Sequence, residues 1–369
     1  MWTYRQPTEI NFGIGTRKSL PQIVAACGSR PILVTDGALA ELAMTREVLA
    51  DLGPETVLFS EVEPNPTVAS VDRLAGTIRD RQCDVVVALR GGSSLDCAKA
   101  ACSVACQEGS IRLYHTEGSK LDGRHLPLVA VPTAAGTGSE VTPISVLDDT
   151  EKGIKAPLVH DSFYPKIAVI DPELTLTLPR YVTACSGLDA LAHAIEGYWS
   201  RNHQPICDAF PLEAVKLVFE HLPRGLANGA DIDAREGMCR AALLGGLAFQ
   251  LPKCAAVHAC SYPLSSQYHQ AHGAACAMTL DHFIRFNAPA MGDRGTALAR
   301  AGGFDGMEAL AGAVRNLKLQ AGLPHRLSEI GLSASDIDAL VDGSFHPVIK
   351  NDPREVTPSE LHSLYSQML

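Results

Sequence analysis

In the first half of the chain, short apolar runs alternate with longer stretches whose apolar positions recur every three or four residues. The runs "RPILVTD" (30–36), "ETVLFS" (55–60), "DVVVALR" (84–90), "LPLVAVPT" (126–133) and "KIAVIDPEL" (166–174) read as strands. Between them, "GALAELAMTREVLADLG", "VASVDRLAGTIRDRQ" and "SLDCAKAACSVAC" read as helices. Near-continuous apolar strands separated by amphipathic helices predict a parallel α/β sheet with helices on its faces. Past residue 180 the strand pattern stops. Helical periodicity takes over at 183–199, 206–224, 232–250, 255–267, 273–286, 292–301 and 306–321, with Pro and Gly marking the breaks in "HLPRGLANG" and "QLPK". The expected organisation is a nucleotide-type α/β domain over 1–180 and an all-helical domain over 181–369.

Composition narrows the function classes. With 46% hydrophobic and 20% charged residues, the 369-residue chain has enough apolar material for full cores in two or three domains. A formal net charge of −10 and the lack of a basic run argue against nucleic-acid binding. The start, "MWTYRQPTEINFG", lacks the apolar core of a signal peptide, and "VVVAL" (85–89) is far too short to span a bilayer. The eleven cysteines are scattered through apolar contexts without a CxxC spacing. They read as reduced, buried small hydrophobes of a cytoplasmic protein.

Two small-residue loops carry candidate chemistry. "ALRGGSSLDCAK" (88–99) follows a strand and opens a helix, where backbone N–H groups and the helix N-terminus favour a pyrophosphate. Ser93 and Ser94 are placed to cap that helix. The loop is neither G-x-G-x-x-G nor a Walker-type P-loop, and by itself it reads equally as a plain strand-to-helix turn. "VPTAAGTGSEVT" (131–142) supplies Thr133, Thr137, Gly138 and Ser139 after a second strand. Two such loops at the ends of parallel strands converge on one sheet edge, where open α/β folds bind ligands. Asp36, at the end of a strand and before a Gly, reads either as an acceptor for an adenosine ribose or as a turn or N-cap acid.

The helical half holds a second set. In "GLDALAHAIEGYW" (187–199), Asp189 and His193 stand four apart and share one helix face. "AAVHACSYPLSSQYHQAHGAACAM" (255–278) adds His258, His269 and His272. Taken singly, each His reads as a core residue with a satisfied hydrogen bond. Taken together, an Asp and three His in apolar helical surroundings make a ligand set for a first-row divalent ion. His269, among Gln267, Tyr268 and Gln270, reads as the solvent-facing one.

"GGSSLDCAK", "VPTAAGTGSEVT", "GLDALAHAIEGY" and the His258–His272–Gly spacing together resemble the iron-containing (group III) alcohol dehydrogenase family. The resemblance covers nearly the whole chain, from "FGIGTRKSLPQI" through "EPNPTVASV" to "KNDPREVTPSELHSLY". It implies an N-terminal dinucleotide-binding α/β domain, a helical C-terminal domain, NAD or NADP, and a divalent metal, Fe²⁺ before Zn²⁺. Carried over, the metal ligands fall on Asp189, His193, His258 and His272. The pyrophosphate loop falls on Gly91, Gly92 and Ser93, with Asp96 just inside the helix; Thr133, Thr137 and Ser139 match the second cofactor loop. Lys155, in "DDTEKGIKAPL", matches a lysine facing the cofactor, and Asp36 matches the position favouring NAD. The resemblance also implies a homodimer or larger homo-oligomer acting on small molecules.

The sequence departs from that pattern in two places. Arg90 stands where many members carry a first Gly, as an added phosphate contact or a solvent-facing side chain. Tyr262 stands where many carry a non-ligand His near the nicotinamide, and is the candidate for proton transfer, since a phenol both donates and accepts. "HACSYPLSS" and "KNDPREVT" look most like the phosphonoacetaldehyde reductase, or hydroxyethylphosphonate dehydrogenase, branch. The expected reaction is hydride transfer between nicotinamide and a small aldehyde or primary alcohol, with Lys253, His269, Arg90 and Lys155 as candidate cations for a charged substrate. The competing readings are a general short-chain alcohol dehydrogenase, a glycerol-phosphate-type polyol dehydrogenase, and a nucleotide-binding module without catalysis.

Overall fold

The computed structural model describes all 369 residues. Its strands are β1 (Glu9–Phe12), β2 (Pro31–Val34), β3 (Val57–Phe59), β4 (Val85–Leu89), β5 (Leu128–Val131), β6 (Ile144–Asp149), β7 (Ile154–Val159) and β8 (Ile167–Ile170). In the first half the helices are α1 (Leu20–Ala25), α2 (Gly37–Ala40), α3 (Ala43–Leu52), α4 (Val68–Asp80), α5 (Gly92–Val104) and α6 (Arg112–His115). The second half holds α7 (Arg180–Trp199), α8 (Pro211–Ala227), α9 (Ile232–Phe249), α10 (Ala256–Ser266), α11 (His272–Ala301), α12 (Met307–Ala321), α13 (Ile337–Ser344) and α14 (Pro358–Gln367).

Contacts divide the chain into two compact units: Met1–Ala134 with Ser139–Thr175, and Ala135–Gly138 with Leu176–Leu369. The division therefore falls near 175, and the second small-residue loop is split by it.

In the first unit, six strands form one parallel sheet in the order β1-β8-β5-β4-β2-β3. Strand alternation explains the two layers. Ile32, Val34, Val86, Ala88, Leu128 and Ala130 enter one core with α4 and α5. Leu33, Val85, Val87, Leu89, Val129 and Val131 enter the other with α1 and α3. β6 and β7 form a separate antiparallel pair, with Asp148 opposite Lys155, which the strand pattern does not predict. Pro157 sits in β7, and in a two-stranded ribbon its missing donor costs no central ladder bond.

The second unit is helical throughout. α7 is buried from Gly187 to Trp199. Small residues set how closely its neighbours approach: a Cβ on Gly187 would strike Leu222 of α8, and one on Gly197 would press on the α9 backbone at Ala248. At the start of α11, Gly273 leaves no room for a Cβ against the Cys185 carbonyl of α7, so the helix following His272 seats directly on the helix of Asp189. The predicted stretches 273–286 and 292–301 are one element broken at Gly292, whose φ of 49° interrupts α11. α13 and α14 lie beyond the predicted helices; α14 starts with a capping box between Thr357 and Glu360.

Candidate metal centre and cofactor loops

Three elements bring the metal candidates together. Asp189 and His193 come from α7, His258 from α10, and His272 from the first position of α11. Asp189 Oδ1 lies 3.6 Å from His258 Nε2, 3.6 Å from His272 Nε2 and 3.8 Å from His193 Nδ1. The His193 and His258 rings lie 4.4 Å apart, and Phe249 stacks on His193 at 4.2 Å. Burial disfavours a charged Asp189, yet His193, His272 and His258 outweigh it and hold the carboxyl well below its usual range. Burial pushes the His193 imidazole down to about 3, so it is neutral and has a lone pair to give.

Asp189 Oδ1, His193 Nδ1 and His258 Nε2 are buried and have no hydrogen-bond partner. Buried polar atoms are almost always bonded. Unsatisfied acceptors aimed at one point fit a divalent cation, which is the chemistry this donor set suits.

Glu196, which the sequence reading passed over, completes the arrangement. It stands on α7 one turn beyond His193 and is fully buried. Its Oε2 is in short contact with His258 Nδ1, and its Oε1 accepts from the Val257 N–H at 2.7 Å. A carboxylate on Nδ1 fixes the tautomer and turns the Nε2 lone pair toward Asp189. The signal was present in sequence: positions 189, 193 and 196 repeat at helical spacing on one face. Cys276 was likewise read as packing, yet its Sγ lies 3.8 Å from His272 Nε2.

In the sheet unit the predicted cofactor residues have different surroundings. Gly91 is the N-cap of α5, which begins at Gly92, and no side chain caps it. The expected caps are thus corrected: Ser93 bonds no first-turn amide, and Ser94 is buried with its Oγ unpartnered. The open N–H groups of this first turn remain an anion-favouring feature. Asp96 faces inward: its Oδ1 accepts from Ser139 Oγ (2.8 Å) and its Oδ2 from the Val146 N–H (2.9 Å). The fully buried Lys99, another residue not anticipated, donates to Ser139 Oγ (2.6 Å), Thr142 Oγ1 (3.2 Å) and the Ile144 carbonyl (2.9 Å). Burial pushes its amine down to about 8, against Asp96 and Glu140. Asp96 and Ser139 therefore brace the loop against α5 and β6. Thr133 is buried just past β5, and Thr137 lies in the Ala135–Gly138 segment of the helical unit. Lys155 Nζ donates to Asn65 Oδ1 at 2.8 Å. Asp36 caps α2, accepting from the Leu39 N–H at 2.8 Å, and its other oxygen pairs with Arg90.

Comparison with known proteins decides the family. Residues 7–172 match the family described as iron-containing alcohol dehydrogenase, and residues 183–369 match its C-terminal counterpart. The chain belongs to the iron-containing alcohol dehydrogenase family. It is therefore an oxidoreductase acting on CH–OH groups. It is 33% identical over 368 residues to the NAD-dependent methanol dehydrogenase of Bacillus methanolicus, covering 96% of this chain and 95% of that one. It is 34% identical over 362 residues to the 1,3-propanediol dehydrogenase of Klebsiella pneumoniae, covering 92% and 91%. Among solved structures, the sulfoacetaldehyde reductase of Bifidobacterium kashiwanohense in complex with NAD⁺ superposes with a TM-score of 0.96 at 41% identity, covering 100% of this chain and 98% of that one.

Two further features lie on α10 and in the turn before it. Tyr262, one turn past His258, packs edge-on against His346 with ring centroids 4.9 Å apart. Burial raises the Tyr262 phenol above its usual range, so it stays protonated. His346, from the segment after α13, is a neighbour the sequence reading did not foresee. Lys253, in the turn joining α9 to α10, adopts a left-handed φ of 67° that favours glycine. Its ammonium is half-buried, is lowered in pKa by burial, and donates to the neutral Gln250 carbonyl at 2.6 Å. His269 also has a left-handed φ, 54°, but is exposed. No helix is long and apolar enough to cross a membrane.

Proposed function

We propose that this dehydrogenase is a metal-dependent, NAD(H)-linked reductase of a small aldehyde carrying a strong-acid anion, with phosphonoacetaldehyde as the first candidate substrate and 2-hydroxyethylphosphonate as the product. The observation that carries the metal dependence is the convergence of unsatisfied donor atoms from Asp189, His193 and His258, with His272 Nε2 beside them. A divalent ion held by those residues supplies Lewis-acid polarisation of a carbonyl oxygen, and NAD(H) supplies the hydride.

The chain's own residues do the rest. Glu196 holds His258 in one tautomer and orientation. Asp189 contributes the one negative charge among the four ligands, leaving a bound divalent ion net positive. Tyr262 holds a proton for the product alkoxide. In the sheet unit, the first turn of α5 takes the pyrophosphate, with Gly91, Gly92 and Ser93 at the loop. Asp96, Ser139 and Lys99 keep that loop in place. Lys155 and Asn65 form one polar pair beside β6 and β7.

The anionic substrate is supported by Lys253. A half-buried ammonium in a strained backbone position, one residue from Cys254 and five from His258, has only a neutral oxygen as acceptor. Strain of this kind persists where a side chain is needed. The similarity to a sulfoacetaldehyde reductase, named for an aldehyde with a sulfonate, points the same way.

The test is NADH oxidation by anaerobically iron-loaded protein with phosphonoacetaldehyde, sulfoacetaldehyde and an uncharged aldehyde of equal length. A kcat/KM about a hundredfold higher for a charged aldehyde, roughly 2.7 kcal/mol of transition-state preference, supports the reading. Equal rates on all three overturn the anionic substrate and leave a general short-chain alcohol dehydrogenase.

A further inference from the structure

Lys253 holds a left-handed φ of 67°, a conformation that a side chain disfavours and that glycine takes freely. The peptide group entering Lys253 is fixed at both ends. Its N–H donates to the Phe249 carbonyl at 2.7 Å. Its carbonyl, on Pro252, accepts from Ser200 Oγ at 3.0 Å, and Ser200 is fully buried at the end of α7. One residue past Lys253, the Cys254 carbonyl accepts from Asn351 Nδ2 at 2.9 Å. Asn351 closes the short turn Pro347–Asn351 ahead of α14 and is itself held. Its Oδ1 accepts from Asn202 Nδ2 at 2.9 Å, and its backbone carbonyl accepts from the Arg201 N–H at 2.8 Å. Beside it, Asp352 Oδ1 accepts from the Ala256 N–H at 3.4 Å, in the first turn of α10. The chain is therefore anchored on both sides of Lys253, by residues from the end of α7 and from the segment before α14. Its φ cannot relax to the usual negative range without breaking one of these bonds.

We infer that Asn351 and Ser200 are positioning residues for substrate selection: they clamp this turn in its left-handed form and so keep the Lys253 ammonium where it takes the anion of the substrate. This rests on the reading that Lys253 recognises an anionic aldehyde. The ammonium donates to the Gln250 carbonyl at 2.6 Å and keeps further N–H donors for the oxygens of a phosphonate or sulfonate. A change of φ swings the Cα–Cβ bond, and the flexible four-carbon stem then carries the ammonium away from its present place. A strained backbone of this kind persists only where its surroundings over-determine it, and the Ser200 and Asn351 bonds do so here.

The test is a double-mutant cycle on the full-length, iron-loaded enzyme. Its readout is the ratio of kcat/KM for phosphonoacetaldehyde to kcat/KM for an uncharged aldehyde of equal length. Asn351→Ala is expected to lower that ratio about fivefold by itself, and to leave it unchanged in a Lys253→Gly background. Ser200→Ala is expected to follow the same pattern. A purely structural role lowers kcat/KM for both aldehydes alike and leaves the ratio intact; that result overturns the inference. A further fall of the ratio in the Lys253→Gly background also overturns it, because Asn351 would then act independently of Lys253. If Asn351→Ala folds poorly by circular dichroism, Ser200→Ala decides by the same two outcomes. Equal rates of the wild type on both aldehydes overturn the anionic-substrate reading itself, and the clamp's role in selection falls with it.

Discussion

The two units treat their candidate binding residues in opposite ways. In the sheet unit, the polar side chains of the cofactor loops are largely engaged with protein partners. Asp96 bonds Ser139 and the β6 backbone, Asp36 bonds Leu39 and Arg90, and Lys155 bonds Asn65. In the helical unit, Asp189, His193 and His258 point at one another with atoms that nothing satisfies. A dinucleotide is recognised largely by backbone N–H groups at a helix terminus, so side chains there are free to brace the loop. A metal ion is recognised by lone pairs, which must be free of protein partners and give up any proton when it binds.

That contrast can be broken at several points. The largest effect is expected from Asp189→Ala, which removes the shared carboxylate; kcat/KM should fall by about a thousandfold or more, with the circular dichroism spectrum unchanged. Glu196→Gln should weaken metal affinity by about ten- to a hundredfold, measured by competition with a chelator, because His258 loses its anionic partner. An equal affinity in that variant would show that Glu196 serves packing alone.

Acid should act in the same direction. Burial opposes the His258 imidazolium, but Cys254, Cys276 and Glu196 outweigh it and raise the ring's pKa well above its ordinary value. A bound ion must displace that proton. Metal affinity should therefore fall as pH drops below the raised pKa, by up to about tenfold per pH unit for each proton displaced. A titration of affinity against pH in the wild-type protein reads this slope directly.

Smaller effects are expected at Lys253 and at Arg90. Lys253→Gly relieves the left-handed backbone and removes the cation. The ratio of kcat/KM for a phosphonate over an uncharged aldehyde should drop about tenfold, while the melting temperature holds or rises. In the sheet unit, Arg90 neutralises the carboxylate of Asp36 that would repel a 2′-phosphate. Arg90→Gly should therefore raise the preference for NADH over NADPH, by a few-fold at low salt and less at high salt. An unchanged ratio would place that pair outside cofactor selection.

The sequence made some of this architecture legible and hid the rest for identifiable reasons. Strands such as Val85–Leu89 are buried on both faces, so an apolar run betrays them. The β6–β7 pair carries Asp148, Asp149, Lys155 and Pro157, and a half-exposed ribbon of that composition resembles a loop. The Asp189–His193 spacing is local and readable along one helix. The internal role of Asp96 depends on partners 43 and 50 residues away, which spacing along the chain does not reveal. Glu196 and Cys276 were hidden differently. A carboxylate near a helix end and a Cys among alanines both look like ordinary helix residues until the packing of α7, α10 and α11 sets them against histidines.

The most direct test of the central claim is metal content. Wild-type protein and His258→Ala are loaded anaerobically with Fe²⁺ or Zn²⁺, desalted, and analysed for metal per chain beside their circular dichroism spectra. The account predicts one ion per chain in the wild type and a large loss in a folded His258→Ala. A folded variant that keeps its ion, or a wild type that binds none, would contradict it.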